Sequence, residues 1–252
     1  MDLSSGPLGA IRRSGAVDTV RARIMLAVEL GMLAPGQRLP SPEETARAFD
    51  VSEMSVRRAY RTLADEGLVS RRRGNSGGTF IVDEPHVGDL PEIEAYRADA
   101  QHVHDLIDQR AVLEAGLAGL AAHACPAEDL AALSDLVERM RTVPDWAGYR
   151  ELDAEFHDRI ARIPGVEAAA LLHHRLSHEL YAYFIPYRID YLRASNEEHA
   201  RLVDALAAAD AALASRLTFA HIVELHESMY VGLGEREARG DSRRPDPPAD
   251  AR

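Results

Sequence analysis

The stretch from Val20 to Val82, VRARIMLAVELGMLAPGQRLPSPEETARAFDVSEMSVRRAYRTLADEGLVSRRRGNSGGTFIV, decides the fold of the N-terminal part of the chain. Apolar residues recur at helical spacing over its first turns, and a Pro-Gly pair at 35–36 ends that helix. At 41–44 a serine, a proline and a glutamate supply an N-cap, a first-turn proline and a capping-box acid for a second helix. Ser52 can cap a third helix, and residues 68–82 form two short β-runs around a glycine-rich tip. Helix, helix-turn-helix and β-hairpin in this order predict a winged helix-turn-helix.

Basic side chains mark two parts of this stretch. On the third helix Val56, Ala59, Tyr60 and Leu63 share one face, and three arginines lie on another. Three more arginines stand directly before the glycine-rich tip. A winged helix used only for protein contacts is the alternative, but it would not explain arginines on both the helix and the wing. The pattern therefore predicts DNA binding through six side chains, Arg57, Arg58, Arg61, Arg71, Arg72 and Arg73.

Three segments resemble the GntR family of bacterial transcription regulators: PGQRLPS at 35–41, VSEMSVRRAYRTLADEGLV at 51–69 and GNSGGTF at 74–80. The combination at these spacings is specific, whereas a helix-turn-helix match alone would be weak. The resemblance implies a homodimer on a palindromic double-stranded DNA operator, with two recognition helices in successive major grooves. It also adds further residues to the predicted DNA-binding surface, namely Ser41, Glu43, Ser52, Glu53, Ser55 and Gly77.

Two of these positions depart from the family. Where Glu43 and Glu53 stand in this chain, the family commonly has arginine, which would read guanine. A glutamate can instead accept a hydrogen bond from cytosine N4, but it repels phosphate. The common operator half-site of the family is therefore not expected to carry over unchanged. Arginines that contact only phosphates position the protein without specifying sequence.

Charge is divided unevenly along the 252 residues. The formal net charge is −12, but residues 1–82 carry 12 arginines against 9 acidic residues, a net +3, and the rest of the chain carries −15. A basic N-terminal part joined to an acidic remainder favours DNA contact through the N-terminal part. The single cysteine excludes an intrachain disulfide and a cysteine-rich metal site. Since no signal-like or membrane-length apolar run is present, we expect a cytoplasmic protein with no membrane partner.

Length and pattern predict two domains and a mostly α fold with a small β-hairpin wing. We expect disorder at 1–14, the winged helix-turn-helix at 15–82, a linker at 83–89, an all-helical domain at 90–239 and a disordered tail at 240–252. Amphipathic patterns in the helical domain predict six or seven helices, at 90–101, 102–124, 126–142, 146–163, 166–192, 195–208 and 210–237. Pro126, Pro144 and Pro164 fall near helix boundaries, and Pro186 should kink or break the pattern that contains it.

Histidines are confined to the later part of the chain, since none of the eleven precedes residue 83. Asp153 and His157 are four residues apart, so both project from one side of a helix, beside an apolar stripe. His199 and His221 lie on two further predicted helices. One carboxylate and three imidazoles from three helices would form a compact site for a first-row divalent cation. A histidine that faces a helical core is more often a satisfied structural residue than a ligand, so spacing alone leaves both interpretations open.

The helical domain resembles the FCD effector domain of the FadR-like branch of GntR regulators. The resemblance rests on LIDQRAVLEAGLAGLAA at 106–122, on LDAEFH at 152–157, and on EEH at 197–199 with a histidine 22 residues later. It implies that four residues bind a metal, and all four matching positions are present: Asp153, His157, His199 and His221. Imidazole and carboxylate ligands suit Zn, Ni or Mn, and zinc is the expected ion.

Arg110 lies on an otherwise apolar helix face with Leu106, Leu113 and Leu117. A buried cation needs an anion. Glu114, one turn later, can supply that anion structurally. Alternatively, Arg110 binds the carboxylate of a ligand, as the matching arginine does in FCD relatives. Both interpretations stay open, and the second implies a small carboxylate effector.

These features together predict a ligand-responsive DNA-binding transcription regulator, a repressor and not an enzyme, whose helical domain binds a metal and a small carboxylate. A metal-sensing regulator, in which the cation is itself the signal, is one alternative. A metal-dependent hydrolase with an accessory head is another, because a site of three histidines and one aspartate with open positions could activate water. No general-base or nucleophile motif accompanies the site, which argues against the hydrolase.

Overall fold

A computed structural model of the chain describes residues 15–74, 77–85, 93 and 99–228. The expected disordered ends at 1–14 and 240–252, most of the linker and nearly all of the expected helix at 90–101 lie outside the described residues. The described part is mostly helical and contains one two-stranded antiparallel sheet. The predicted fold class is therefore confirmed.

The N-terminal domain contains three helices, α1 (Ala16–Glu29), α2 (Pro42–Phe49) and α3 (Glu53–Asp65). Both halves of the predicted capping box form at the start of α2, because the Ser41 hydroxyl accepts from the Glu44 amide and the Glu44 carboxylate accepts from the Ser41 amide. The Ser52 hydroxyl caps α3 by accepting from the Ser55 amide. The buried apolar faces of these helices pack together, which leaves the arginine face of α3 exposed.

The wing consists of β1 (Val69–Arg72) and β2 (Gly78–Ile81), paired from Val69 opposite Ile81 to Arg72 opposite Gly78. The tight return between the strands requires glycine at Gly77. A Cβ atom there would lie 2.6 Å from the Arg72 carbonyl oxygen and 2.7 Å from that of Gly74. This predicted DNA-binding residue therefore also has a structural reason for its identity.

The described helical domain runs through α4 to α10. Their bounds are α4 (Ala100–Ala122), α5 (Ala127–Thr142), α6 (Trp146–Arg162), α7 (Glu167–Tyr181), α8 (Ile189–Ala207), α9 (Ala211–Val223) and α10 (Leu225–Ser228). Pro126, Pro144 and Pro164 lie at helix boundaries, as predicted. The expected helix at 210–237 is interrupted at Glu224, and its residues after 228 lie outside the described part.

The pattern at 166–192 is broken, as Pro186 predicts, but the expected helix bounds are wrong. The first helix ends at Tyr181, and α8 begins at Ile189 rather than at 195. Pro186 has no N–H to donate to the carbonyl four residues earlier, and it disfavours a helical conformation in the residue before it. That earlier carbonyl belongs to Ala182, and here it accepts a hydrogen bond from the Arg23 side chain of the N-terminal domain. The break thus becomes a contact between the domains.

Helix α4 lies at the centre of the helical domain and packs against α6, α7 and α9. Helix α2 of the N-terminal domain packs against α6, so α6 contacts both the bundle core and the DNA-binding domain. Among the residues that the structure describes, no helix is long and apolar enough to cross a membrane.

Candidate functional site

Three helices bring the four predicted metal ligands together inside the bundle. Helix α6 supplies Asp153 and His157, α8 supplies His199, and α9 supplies His221. One ligand atom from each lies within 4.8 Å of all the others. His157 and His199 are each 1 % exposed, so the cluster is part of the interior and not a surface patch.

Two rings are oriented by their outer neighbours. His199 Nδ1 lies 3.2 Å from Asn196 Oδ1, and the Asn196 amide is oriented because its nitrogen donates to the Val137 carbonyl at 2.9 Å. His221 Nδ1 lies 2.7 Å from a Glu198 carboxylate oxygen. Both neighbours are acceptors, so each Nδ1 donates to its neighbour. This leaves the Nε2 atom of each ring to face the cluster, where it can bind a cation.

The two Nε2 atoms of His199 and His221 lie 3.1 Å apart. Two lone pairs at this distance repel each other unless a proton or a cation lies between them. A proton is disfavoured at His199, because burial and the neighbouring His221 hold the pKa of His199 well below its usual value. Asp153 Oδ1 lies 3.5 Å from His199 Nε2 and 3.6 Å from His157 Nε2. The donor set fits a divalent cation.

Neighbouring side chains hold the predicted ligands in place through hydrogen bonds, as metal-binding histidines require. His157 Nδ1 contacts the Glu114 carboxylate, and Asp153 Oδ2 accepts from the Tyr181 hydroxyl at 2.9 Å. Glu114 is fully buried, and its second oxygen accepts from Arg110 Nε at 2.9 Å and lies 2.9 Å from His173 Nε2.

Electrostatics keep the two carboxyl groups ionised. Burial alone would raise the pKa of Glu114, but the charges of His157 and Arg110 outweigh it and hold that pKa well below the usual value. For Asp153, burial is likewise outweighed by His157 and His199, and the pKa is lowered. Burial would lower the pKa of His157, but the two carboxylates raise it to about 9. Without a cation, a proton on His157 therefore compensates the buried negative charge.

The sequence left two interpretations of Arg110 open, an ion pair with Glu114 and the binding of a ligand carboxylate, and the surroundings of its side chain are compatible with both. Its Nε donates to Glu114, but its Nη2 is buried and has no hydrogen-bond partner among the described residues. The side chain lines a cavity of about 80 Å³ next to the metal cluster. A buried guanidinium N–H without an acceptor is costly, and an anion in the cavity would remove that cost.

The cavity is bounded by both the cluster and the break between α7 and α8. Its lining includes Arg110, Tyr149, Arg150, Asp153, His157, Leu180, Tyr181, Phe184, Tyr187, Tyr191, Leu192, Ser195, His221, Ile222, Glu224 and Leu225. The Tyr149 hydroxyl and Arg150 Nε are also buried and have no hydrogen-bond partner in the part of the chain that the structure describes. The Arg150 guanidinium lies over the Tyr181 ring, 4.4 Å from its centroid.

The predicted DNA-binding residues form an exposed surface of the N-terminal domain. All six predicted arginines are exposed, as are Ser41, Glu43, Ser52 and Glu53, and Ser55 and Gly77 are partly exposed. The two serine caps hold the starts of α2 and α3, so their hydroxyls are engaged by backbone amides. Arg57 forms an ion pair with Glu53 on the same helix. The predicted recognition helix α3 therefore carries an acidic and a basic side chain next to each other.

A chain of contacts joins this domain to the cavity. Arg23 lies over the Phe49 ring at 4.6 Å, Phe49 stacks on Trp146 at 5.2 Å, and Trp146 lies 6.1 Å from Phe184 in the cavity wall. Beside it, Arg47 bridges from Glu43 to Glu151 of α6, at 2.9 Å each. The helix that holds Asp153 and His157 thus also holds the DNA-binding domain.

Sequence reasoning found the four clustered acid and imidazole groups but not the groups that orient them. Glu114 was considered only as a partner for Arg110. Asn196, Tyr149 and Arg150 were not singled out. An Asn three residues before His199 on the same helix was the one available local signal, because that spacing allows their side chains to meet.

Two parts of the chain match known protein families. Residues 16–81 match the gntR family of bacterial regulatory proteins, and residues 105–224 match the FCD domain. The putative HTH-type transcriptional regulator RmpR of Mycobacterium gastri is 28% identical over 214 residues, which cover 81% of this chain and 77% of RmpR. The HTH-type transcriptional regulator LutR of Bacillus subtilis is 28% identical over 212 residues, 79% of this chain and 94% of LutR. A solved structure of Streptococcus agalactiae GntR is 25% identical with a TM-score of 0.45, covering 84% of this chain and 99% of that one. RmpR and LutR are both named as transcriptional regulators.

Proposed function

Because this chain belongs to the GntR family of DNA-binding transcription regulators and carries an FCD domain, we propose that a metal ion and a small carboxylate in its helical domain control its DNA binding. The observation that carries the proposal is the pair of Nε2 atoms of His199 and His221, 3.1 Å apart beside the Asp153 carboxylate. Arg110 Nη2 is buried without a hydrogen-bond partner among the described residues and adjoins the cavity, which supports the carboxylate.

The metal would be held by Asp153, His157, His199 and His221. When bound, it supplies a positive charge and open coordination positions that a ligand carboxylate can occupy. The chain's own residues do the rest: Glu114, Asn196 and Glu198 orient the imidazole rings, and Arg110 binds the same carboxylate from the side. Zinc is the expected ion, and nickel and manganese suit the same donors.

The DNA partner would be a palindromic operator bound by a homodimer in the cytoplasm. In this arrangement α3 of each protomer enters the major groove, with Arg57, Arg58 and Arg61 toward bases and phosphates, and the wing arginines toward the backbone. Glu43 and Glu53 change the base preference from that of an arginine-bearing relative. We propose repression as the outcome, since a dimer bound across a promoter blocks access to it.

Ligand binding would reach the DNA through the contact between α2 and α6. A carboxylate in the cavity contacts residues of α6 and of the 182–188 segment, and both also contact the N-terminal domain. A ligand changes DNA affinity only if it binds the protein more tightly in one orientation of the DNA-binding domain than in another. Helix α6, which lines the cavity and also contacts the DNA-binding domain, would provide this difference in affinity.

The test is metal analysis followed by DNA titration. Protein purified without chelator or nickel resin should contain one divalent ion per chain, and acetate should raise the melting temperature of zinc-loaded protein but not of the Arg110→Met variant. Operator fragments selected from random DNA should then bind with an affinity that acetate changes. DNA affinity that responds to zinc alone would instead identify a metal sensor. Absence of both metal and acetate binding would refute the proposal.

A further inference from the structure

Residues 37–39 pair with the wing along the edge of β2 that faces away from β1. The Leu39 amide donates to the Thr79 carbonyl at 2.8 Å, and the Ile81 amide donates to the Gln37 carbonyl at 2.9 Å. Arg38 stands opposite Phe80 in this antiparallel pairing. Because directly opposite residues of paired strands project from the same face of a sheet, the backbone places the Arg38 side chain beside the Phe80 ring.

Two guanidinium groups share this face of the wing. Arg72 follows Ser70, the residue opposite Phe80 on β1, by two positions, and its guanidinium lies 4.5 Å from the centroid of the Phe80 ring. The Arg38 side chain crosses Gly78, since a Cβ atom at Gly78 would lie 2.7 Å from Arg38 Nε and 3.4 Å from Phe80 Cε2. Gly78 is also the residue opposite Arg72. The glycine therefore leaves space for Arg38 to lie along the wing toward Arg72.

The charge of Arg38 is left available to an outside anion. The residue is exposed, and among the described residues no acid forms an ion pair with it, whereas Arg47 and Arg57 of the same domain do pair with acids. Its charge acts on Glu44, whose pKa is lowered mainly by hydrogen bonds with Ser41 and in part by the two arginines Arg47 and Arg38. The Glu44 carboxylate is already engaged by the Ser41 amide in the capping box. A guanidinium in this position can donate to a phosphate.

We propose that Arg38 binds a backbone phosphate of DNA and connects two parts of the predicted DNA-binding surface. It lies three residues before Ser41 at the start of α2, and its side chain lies against Gly78, directly after Gly77 of the wing. A side chain that lies along its own sheet does not reach base edges at the floor of a groove about 7.5–8.5 Å deep. The phosphates lie on the outside of the duplex, so Arg38 positions the protein on DNA without reading its sequence.

Anisotropy titrations of the full-length protein with labelled duplex DNA at several salt concentrations test this inference. Arg38→Ala should weaken binding to a selected operator fragment and to a scrambled duplex by the same factor, roughly 3- to 10-fold. The slope of log affinity against log salt should fall by about one unit, because one phosphate contact fewer releases one counterion fewer. Arg38→Lys keeps the positive charge and should restore the slope of the unmodified protein.

The matched control is Arg139→Ala, because Arg139 is also an exposed arginine but pairs with Asp135 in the helical domain. It should change neither the affinity nor the slope. A loss of affinity for the operator alone would show that Arg38 reads a base. An unchanged slope together with a lower melting temperature would show that Arg38 only stabilises the wing. Either result, or DNA binding that Arg38→Ala leaves unchanged, overturns the inference, and none of them affects the proposed metal and carboxylate site.

Discussion

The two domains handle charge in opposite ways. In the DNA-binding domain the arginines of α3 and the wing are exposed, and among the described residues Arg57 has Glu53, four residues away on the same helix, as its ionic partner. In the helical domain the buried charges share partners across helices: Glu114 alone contacts Arg110, His157 and His173. Exposed arginines remain free to bind a large anionic partner such as DNA. Buried and paired charges form a rigid site that is suited to a small anion.

The difference has a consequence for what mutations do. An exposed charge contributes little to folding, because water screens it. A buried charge that loses its partner carries its full desolvation cost. Substitutions of exposed charges in the DNA-binding domain should therefore change DNA affinity without changing the free energy of unfolding. Substitutions in the buried cluster of the helical domain should change the free energy of unfolding and ligand binding, and should leave the DNA-binding domain folded.

The largest effect is expected at Glu114. Glu114→Ala would leave the buried side chains of Arg110 and His157 without their shared anion, and should destabilise the protein by roughly 3–5 kcal/mol. Urea unfolding followed by circular dichroism measures this. Glu138→Ala is the control, since Glu138 pairs with Arg141 on the same helix and its side chain is 67% exposed. Equal changes in the two variants would contradict the contrast between buried and exposed charge.

How much of this could be read from the sequence depended on how local the signal was. The capping box at Ser41 and Glu44, the serine cap of α3 and the glycine-rich tip are all set by residues within a few positions of each other. Those signals gave the correct order of elements for the DNA-binding domain. The metal cluster joins three helices, so spacing left it open, and only the resemblance to a known domain singled out the four residues.

Long-range contacts were beyond the reach of sequence patterns. Glu114 meets His157 and His173 across 43 and 59 residues, and no local pattern records such a meeting. The segment after Tyr181 was misread for a related reason. Its apolar residues continue the helical pattern, but they are buried by tertiary packing against α6 and the N-terminal domain instead. Pro186 indicated that a break would occur and not where the next helix would begin.

Loss of the metal should be the second largest effect. Zinc at a free concentration a hundredfold above its Kd should stabilise the protein by about 2.7 kcal/mol. The double substitution His199→Ala with His221→Ala should remove that increment and the response to acetate, while DNA affinity is kept because the exposed arginines of α3 and the wing lie outside the cluster. Thermal melts with and without added zinc, together with elemental analysis, measure it. His174→Ala, at an exposed histidine of α7, should behave like the unmodified protein. A zinc-dependent shift that survives in the double variant would mean that the ion binds elsewhere.

A smaller effect, confined to DNA, is expected for Arg57→Ala. One good base contact is worth roughly 1–3 kcal/mol, so specific operator binding should fall by about 5- to 150-fold while the melting temperature stays constant. A band-shift assay with specific and scrambled DNA separates base reading from phosphate attraction. Arg139→Ala provides the match, because Arg139 also pairs with an acid four residues away on an exposed helix face, but in the helical domain. Unchanged operator affinity in Arg57→Ala would remove this residue from the DNA-binding set.

The smallest effect concerns the contact between the two regions. Phe49→Leu keeps an apolar side chain of similar size but removes the stacking on Trp146, which is worth about 0.5–1.5 kcal/mol. If this contact carries the signal, ligand and DNA should each bind with nearly unchanged affinity, and the factor by which one changes the other should fall by roughly 2- to 10-fold. Anisotropy titrations of operator DNA, with and without saturating carboxylate, give that factor directly.

The control is Phe219→Leu, at an aromatic residue that does not line the cavity, which should leave the factor unchanged. An undiminished factor in Phe49→Leu would show that the two domains communicate through other contacts, such as the Arg47–Glu151 pair or the bond from Arg23 to Ala182. The same titration of Glu151→Gln would then decide between those two.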